Sequence, residues 1–260
     1  MNYSDSHAHL GAKEFASDRD EVVQRAKATG LKLIANCTDT LDDFSATIDL
    51  KRKHPEICLC CLGLHPDSIP QGNERRNAAI ALMEQNVDFM DAVGEIGLDF
   101  HYGIGEQNHR EQRELFASML DFASLHQLPA VIHCREARDD LWEILRSKNV
   151  KKIYLHCYEE DLGFATKLIS SGFDCYFGFN GILTFKSADS VREVCRNIPL
   201  ERLLIETDSP CLSPVPFRGQ RNEPMRVIPI AQFIADLRGI EVETLTRVVL
   251  DNAKRFYGIR

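Results

Sequence analysis

The sequence lacks any apolar run close to the roughly 18 to 20 residues that a membrane-spanning helix requires. Residues 1–5 also lack the basic stretch and the apolar stretch that a signal peptide begins with. We therefore expect a soluble, cytoplasmic protein that has no membrane partner.

An excess of positive charge is missing too, since 31 lysines and arginines stand against 39 aspartates and glutamates, and the formal net charge is −8. This balance argues against a broad basic surface for nucleic acid, but it leaves a local basic or metal-charged site open. No proline- or glycine-rich linker, low-complexity segment or repeat divides the chain. With a hydrophobic content of 44%, we expect residues 1–260 to form a single domain.

The nine cysteines are an odd number, and several lie inside apolar runs. Such positions favour reduced thiols that pack as small hydrophobic groups. Cys58, Cys60 and Cys61 cannot all point the same way from one strand, so a structural zinc site is not expected there.

Short apolar runs alternate with segments of helical period along the chain. Eight runs are predicted as strands, over residues 3–6, 32–37, 57–63, 90–94, 130–133, 152–156, 173–178 and 203–206. Nine segments are predicted as helices, over residues 18–29, 41–53, 74–85, 107–126, 139–147, 162–170, 188–196, 228–237 and 242–256. Strands that are apolar on both faces and are followed by helices indicate a parallel sheet. We predict an α/β fold, a single (β/α)8 TIM-type barrel with its chemistry at the C-terminal strand ends.

The fourth predicted strand runs into Gly94, Glu95 and Gly97. Since glycine has no Cβ, we predict that the chain turns here and that a hydrated metal or a phosphate can approach. Glu95 would then lie at the open end of a buried strand. The alternative is that Glu95 begins a solvated loop.

Histidines follow other strands. His7 and His9 close the first strand, where a period of two places both imidazoles on one side and lets them chelate one metal. His133 and His156 end the fifth and sixth strands, and His65 follows the third. Taken singly, each is as easily a surface or core histidine.

Asp208 follows strand eight, where the alternative is an aspartate that forms a turn. Because the C-terminal ends of all barrel strands meet at one rim, we predict a metal site there. Imidazoles and carboxylates without thiolates suit zinc, manganese or magnesium. The predicted metal ligands are His7, His9, Glu95, His133, His156 and Asp208.

In the order and spacing of its motifs, the sequence resembles the TatD-like metal-dependent hydrolases, a branch of the metal-dependent (β/α)8 hydrolases. The matching motifs are DSHAHL (5–10), GLHP (63–66), GEIGLD (94–99), HCR (133–135), LHC (155–157), ETDSP (206–210) and RNEP (221–224). The resemblance implies two divalent cations and a nuclease that acts on DNA from its 3′ end. The chain departs from the family at Glu159 and Glu160, where the family often has Ser or Thr and Gly. These two acids would repel a DNA strand.

Carried over residue by residue, the resemblance divides the ligands between two cations that share Glu95. His65 and Arg135 would face the scissile phosphate. One cation would be held by His7, His9, Glu95 and Asp208, and the other by Glu95, His133 and His156.

Two bridged cations would lower the pKa of a shared water and withdraw charge from a phosphoryl group. Glu95 and Asp208 are therefore the predicted catalytic residues, with Asp208 placed to accept the proton of the water. Arg221 and Glu223, in the loop after strand eight, are predicted to touch a nucleotide, and the alternative is a structural ion pair. Asp99 is predicted either to hydrogen-bond a ligand histidine or to cap the next helix.

Other functions stay open. The same barrel can hydrolyse amides, esters or lactones, although many barrel amidohydrolases bridge their metals with a modified lysine where this chain has Glu95. A metal-binding adaptor without catalysis is a third possibility. The net acidity and the few candidate rim cations, Arg135, Arg218 and Arg221, favour single-stranded DNA ends as the substrate. The oligomeric state is open, and a monomer is allowed.

Overall fold

The computed structural model describes residues 1–102 and 105–259. Its strands are β1 (Tyr3–Ala8), β2 (Leu31–Cys37), β3 (Cys58–Leu62), β4 (Ala92–Asp99), β5 (Ala130–Arg135), β6 (Lys152–Leu155), β7 (Asp174–Phe179) and β8 (Leu203–Ile205). Its α-helices are α1 (Arg19–Ala28), α2 (Leu41–Lys53), α3 (Asn73–Gln85), α4 (Glu106–Leu125), α5 (Arg138–Ser147), α6 (Leu162–Ser170), α7 (Asp189–Asn197), α8 (Val227–Arg238) and α9 (Val242–Tyr257). Within the described residues, none of these helices is long and apolar enough to cross a membrane.

The eight strands form one sheet in the order β1 to β8, and each strand pairs in parallel with the next along the chain. The first and last strands of the sheet, β1 and β8, are joined by hydrogen bonds just beyond the end of β8. There the backbone N–H of Asp208 donates to the carbonyl of His7 at 3.0 Å, and the N–H of His9 donates to that of Ser209 at 2.8 Å. Parallel strands joined by helices and brought together at this seam confirm the predicted (β/α)8 barrel.

Side chains alternate between the barrel interior and the helix layer, as the period of a strand requires. On β2, Leu33 and Cys37 belong to the inner cluster, whereas Ile34 packs in the outer one. The inner cluster is completed by Phe256 and Tyr257 from α9. These aromatic rings fill the N-terminal end of the barrel and leave its C-terminal end for a polar site.

The cysteines are free thiols, and six of the nine are buried. Cys58 and Cys60 pack in the outer cluster, whereas Cys61 packs inside the barrel. Neighbouring thiols of β3 therefore point to different faces, as predicted, and they serve as small core residues. Of the other three cysteines, Cys134 and Cys157 are partly buried and Cys211 is exposed.

Strand β4 is longer than predicted, and Glu95 lies within it rather than at its open end. A Cβ on Gly97 would lie 2.0 Å from the carbonyl oxygen of His133, and one on Gly94 would lie 2.6 Å from the Cβ of Val131. Gly97 also has a φ of +150°, which residues with a side chain rarely adopt. The prediction of a turn at these glycines is wrong, because they instead let β4 approach β5 closely.

Candidate metal centre

Seven side chains that the sequence analysis singled out meet at the C-terminal end of the barrel. His7 is fully buried, and the other six line a cavity of about 690 Å³. They come from β1, β4, β5 and the segments that follow β1, β3, β6 and β8. The seven are His7, His9, His65, Glu95, His133, His156 and Asp208.

The two carboxylate oxygens of Glu95 face different histidines. Oε2 lies 3.1 Å from Nε2 of His7 and 3.3 Å from Nε2 of His9. Oε1 lies 2.7 Å from Nε2 of His156 and 3.0 Å from Nδ1 of His133. Glu95 therefore joins two separate groups of imidazoles, one on each oxygen.

Asp208 completes the first group. Its Oδ1 lies 3.3 Å from Nε2 of His9 and 3.6 Å from Nε2 of His7. The backbone N–H of Asp208 donates to the His7 carbonyl across the barrel seam, so this carboxylate is held beside β1. Asp5 strengthens the same seam, because its carboxylate accepts a hydrogen bond from the backbone N–H of Thr207 at 2.8 Å.

The spacing of the ligand atoms in the first group suits a shared divalent cation better than direct hydrogen bonds between the side chains. Nε2 of His7 and Nε2 of His9 lie 2.9 Å apart, although an imidazole N–H can point to only one acceptor. Ligand atoms about 2.0 to 2.2 Å from one metal also lie roughly 3 Å from each other. Nδ1 of His7 is buried and has no hydrogen-bond partner among the described residues. Such a set of imidazoles and carboxylates suits Zn²⁺, Mn²⁺ or Mg²⁺.

The second group shows the same crowding. Nδ1 of His133 and Nε2 of His156 lie 3.2 Å apart, and both face Oε1 of Glu95. Nε2 of His65 lies 3.6 Å from the same oxygen. His65 was predicted to face substrate, and its position also makes it a candidate ligand together with Glu95 and His133.

Electrostatics at the centre favours an ionised Glu95. Burial would raise the pKa of the Glu95 carboxyl, but the imidazoles of His156, His7 and His65 hold that pKa well below its usual range. Burial, with His156 beside it, lowers the pKa of His7 to about 3. Glu95 is thus ionised and His7 neutral, which are the states that bind a cation. Against the effect of burial, nearby carboxylates raise the pKa of His9, His133 and His156, so a cation that binds these imidazoles must displace a proton.

Three further aspartates contact histidines of the centre, each at the ring nitrogen that points away from Glu95 (the outer nitrogen). Oδ2 of Asp99 lies 3.1 Å from Nε2 of His133. Asp39 and Asp67 were not predicted, and their carboxylates lie 3.4 Å from Nδ1 of His9 and 3.5 Å from Nδ1 of His65. Asp39 follows β2 at the same rim, so the rule that found the other strand-end residues also applies to it.

Glu206 is a further residue that the sequence analysis left without a role. It is fully buried, and its Oε1 accepts hydrogen bonds from the backbone N–H of Cys157 at 2.7 Å and from the amide of Asn180 at 3.0 Å. The hydroxyl of Tyr154 donates to the other oxygen. Burial raises the pKa of Glu206 to about 7. These bonds fix the segment after β6 that carries His156.

The predicted substrate residues fall into two sets. His65 and Arg135 line the cavity, together with Glu159 of the departure from the family pattern. Arg221 and Glu223 are not among the described residues that line it. The structure places these two in ion pairs, which is the alternative that the sequence left open, and their contact with a nucleotide stays a prediction.

The ion pairs tie the loop after β8 to helix α1. The guanidinium of Arg221 donates two hydrogen bonds of 2.7 Å to the carboxylate of Asp18. Glu223 in turn accepts two hydrogen bonds from Arg25, at 2.9 and 3.0 Å. Sequence reasoning could not identify the two partners, Asp18 and Arg25, because about 200 positions separate them from the loop.

The cavity is acidic beyond its ligands. Among the described residues that line it, Arg135 is the one lysine or arginine. The additional acids in the lining are Glu14, Asp39, Asp67, Asp99 and Glu159. An anionic substrate therefore meets a repulsive lining unless cations occupy the centre.

Comparison with known proteins gives the family. The family model described as TatD related DNase matches residues 4–258. The metal-dependent hydrolase YcfH of Escherichia coli K12 is 37% identical over 264 residues, covering 98% of this chain and 95% of that protein. The human protein named deoxyribonuclease TATDN3 is 29% identical over 263 residues, covering 97% of this chain and 93% of its own length.

Among solved structures, YJJV of Escherichia coli K12, described as a TatD homologue, superposes with a TM-score of 0.89 at 25% identity and covers 99% of this chain and 98% of that one. The family model and the relatives thus extend over nearly the whole barrel and include every strand that carries a residue of the centre. The chain belongs to the TatD-related DNase family.

Proposed function

We propose that this protein is a divalent-metal-dependent nuclease that removes nucleotides from the 3′ end of single-stranded DNA, using two cations per chain. The observation that carries the proposal is the division of Glu95, whose two oxygens face two groups of ligands. The relatives named as metal-dependent hydrolases and as a deoxyribonuclease support the reaction class and DNA as the substrate.

The residues of the centre divide between the two cations. Glu95 would contact both cations, with one oxygen on each. His65 lies near enough to Oε1 to join the second group or to face the phosphate. His7, His9 and Asp208 would hold the first cation, and His133 and His156 the second.

Two bound divalent cations supply a water of lowered pKa and neutralise the charge on the phosphoryl oxygens. The chain supplies the proton acceptor, since Asp208 has one oxygen toward the two histidines and a second oxygen that can take the proton of the attacking water. Arg135 lies in the cavity lining and can orient a phosphate through two parallel hydrogen bonds. Asp99, through His133, keeps the second group in place.

The direct test offers metal-loaded protein a choice of substrates. It uses single-stranded DNA labelled at the 3′ or the 5′ end, RNA of the same sequence, and a panel of amides, esters and lactones. We expect a ladder that shortens from the 3′ end of DNA. Turnover of the carbonyl panel alone would assign the centre to the carbonyl hydrolases, and turnover of no substrate would favour the adaptor.

Glu95→Gln is the matched control for that test, because it keeps the size and shape of the side chain but removes the charge. We expect it to fold as the parent does and to lose activity by several orders of magnitude. Activity within about tenfold of the parent at unchanged metal content would remove Glu95 from its bridging role.

A further inference from the structure

Tyr102 is a large aromatic residue placed in the open at the edge of the metal centre. Its side chain is 68% exposed, yet it lines the same cavity as the candidate ligands. The other large exposed apolar residues of the described chain, Met1, Leu125 and Val215, do not line this cavity. Covering this exposed ring with a flat apolar surface is favourable, because it removes apolar area from water.

The position of Tyr102 is fixed by the metal centre itself. Oδ1 of Asp99 accepts hydrogen bonds from the backbone N–H groups of Tyr102 at 3.0 Å and of His101 at 2.9 Å. Oδ2 of the same carboxylate faces His133. The Asp99 side chain therefore holds both the candidate metal ligand His133 and the turn that carries the Tyr102 ring. Because this turn is already ordered, substrate binding loses little conformational entropy there.

Arg135 supplies the charge beside the ring. Its guanidinium carbon lies 4.8 Å from the centre of the Tyr102 ring, and it is the one lysine or arginine in the described cavity lining. An aromatic face next to a guanidinium, at the edge of a site for a phosphodiester, matches a nucleotide, because a base can stack on the ring while its phosphate pairs with the arginine.

We propose that Tyr102 is the stacking surface for a nucleobase next to the scissile bond, and that Arg135 pairs with the phosphate of that nucleotide. This inference rests on the proposed nuclease function and names the part of the substrate that the cavity binds. Stacking tolerates any base, since every base presents a π-face. The site therefore selects a base-bearing strand without reading its sequence.

The experiment measures binding in addition to cleavage. Metal-loaded protein is titrated, with fluorescence anisotropy as the readout, into a labelled single strand whose 3′-terminal linkage is a methylenephosphonate that cannot be cut. A second strand is identical but has abasic sites at its two 3′-terminal positions. Tyr102→Ala is compared with Tyr102→Phe, which keeps the ring, and with Leu125→Ala, which removes a side chain of similar exposure (72%) outside the cavity.

We expect Tyr102→Ala to weaken binding of the base-bearing strand by about 5- to 150-fold. Binding of the abasic strand should change less than about twofold, and the other two variants should bind both strands as the parent does. Equal weakening of both strands by Tyr102→Ala would mean that the ring only supports Arg135, and this result would overturn the inference. No weakening of either strand would overturn it as well.

Cleavage of an ordinary strand, measured in parallel, separates the two proposals. Base-dependent binding that needs Tyr102, without cleavage, would keep the stacking surface and reject the nuclease. Cleavage without base-dependent binding would reject the stacking surface alone. Failure of the parent to bind or to cut any strand would reject both.

Discussion

Oδ2 of Asp99 lies 3.1 Å from Nε2 of His133, while Nδ1 on the other side of the same ring lies 3.0 Å from Glu95. A proton on Nε2 can be donated to Asp99, which leaves the lone pair of Nδ1 directed into the centre. The sequence allowed Asp99 either a hydrogen bond to a ligand histidine or a helix cap. The structure shows this hydrogen bond to His133, and the role of His133 as a ligand stays a prediction. The backbone N–H groups that donate to Asp99 belong to the turn before α4 rather than to the helix.

Asp99→Asn should weaken the binding of the second cation by about 10- to 100-fold, since loss of such an outer partner loosens its histidine. The amide keeps the size of the side chain, so the fold should be retained. The measurement is a calorimetric titration of metal-free protein with Mn²⁺ or Zn²⁺. Asp139→Asn, at a side chain that is 94% exposed, is the control. Identical isotherms for all three proteins would show that Asp99 does not support the centre.

The loaded protein should hold two divalent cations per chain, because two groups of ligands share one carboxylate. Removing His9 leaves the second group intact, and removing His133 leaves the first group intact. His9→Ala and His133→Ala should therefore each retain one ion, as counted by elemental analysis after desalting. An active parent that binds a single ion at saturating metal would contradict the two-metal proposal.

Much of the centre could be predicted because one rule connects sequence to space. In a parallel barrel all strands end at one rim, so polar residues after apolar runs must meet even when 200 positions separate them. His7, His9, His133 and His156 were found in this way. Glu95 was also found, although for a wrong reason, since its glycines serve the contact with β5 and do not turn the chain.

What the sequence could not supply is the partner of each rim residue. Asp39 and Asp67 contact the outer nitrogens of two histidines, but an aspartate in a loop has no pattern that distinguishes this role from a turn. The bond from Tyr154 to Glu206 depends on which strand residues face inward, and that is fixed only by register. The role of Arg221 was left open because the sequence does not show which distant residue it contacts.

Arg221→Met should lower the free energy of unfolding by about 1 kcal/mol at pH 7, since it breaks a bidentate but partly exposed ion pair. Hydrogen bonds from Arg221 lower the pKa of Asp18 to about 2. A lowered carboxyl pKa stabilises the fold above the unfolded value of about 3.9, and that stabilisation is lost as the pH falls through about 2. The difference between variant and parent should therefore shrink in acid.

Urea unfolding at several pH values measures this difference. Arg52→Met, in an exposed pair with Asp49, is the control and should change stability by less than about 0.5 kcal/mol. If Arg221→Met instead raises KM for DNA while leaving stability unchanged, Arg221 belongs to the substrate site, as the sequence first suggested.

The cations that can reach a DNA strand are few. Of the three arginines that the sequence placed at the rim, Arg221 is paired with Asp18, and Arg218 lies 3.7 Å from the centre of the Phe185 ring and is not in the cavity lining. Arg135 is thus the one lysine or arginine in the described lining. Among the described residues it forms no ion pair with a carboxylate within 4.0 Å, and its guanidinium lies beside the Tyr102 ring. Contacts to only one or two phosphates suit binding of a DNA end at the metal centre rather than binding of a strand along its length.

For a single strand, the logarithm of affinity falls by about 0.7 per logarithm of salt for each phosphate neutralised. One or two contacts then imply a loss of only about 3- to 7-fold between 50 and 200 mM salt at fixed metal concentration. Since Arg135 is proposed to supply one of these contacts, Arg135→Met should reduce the slope by about 0.7. A slope that demands six or more phosphates, or efficient cutting of a covalently closed single-stranded circle, would reject attack from an end. The circle gives the sharper answer, since it presents the same bases and phosphates as the linear strand and lacks nothing but the end.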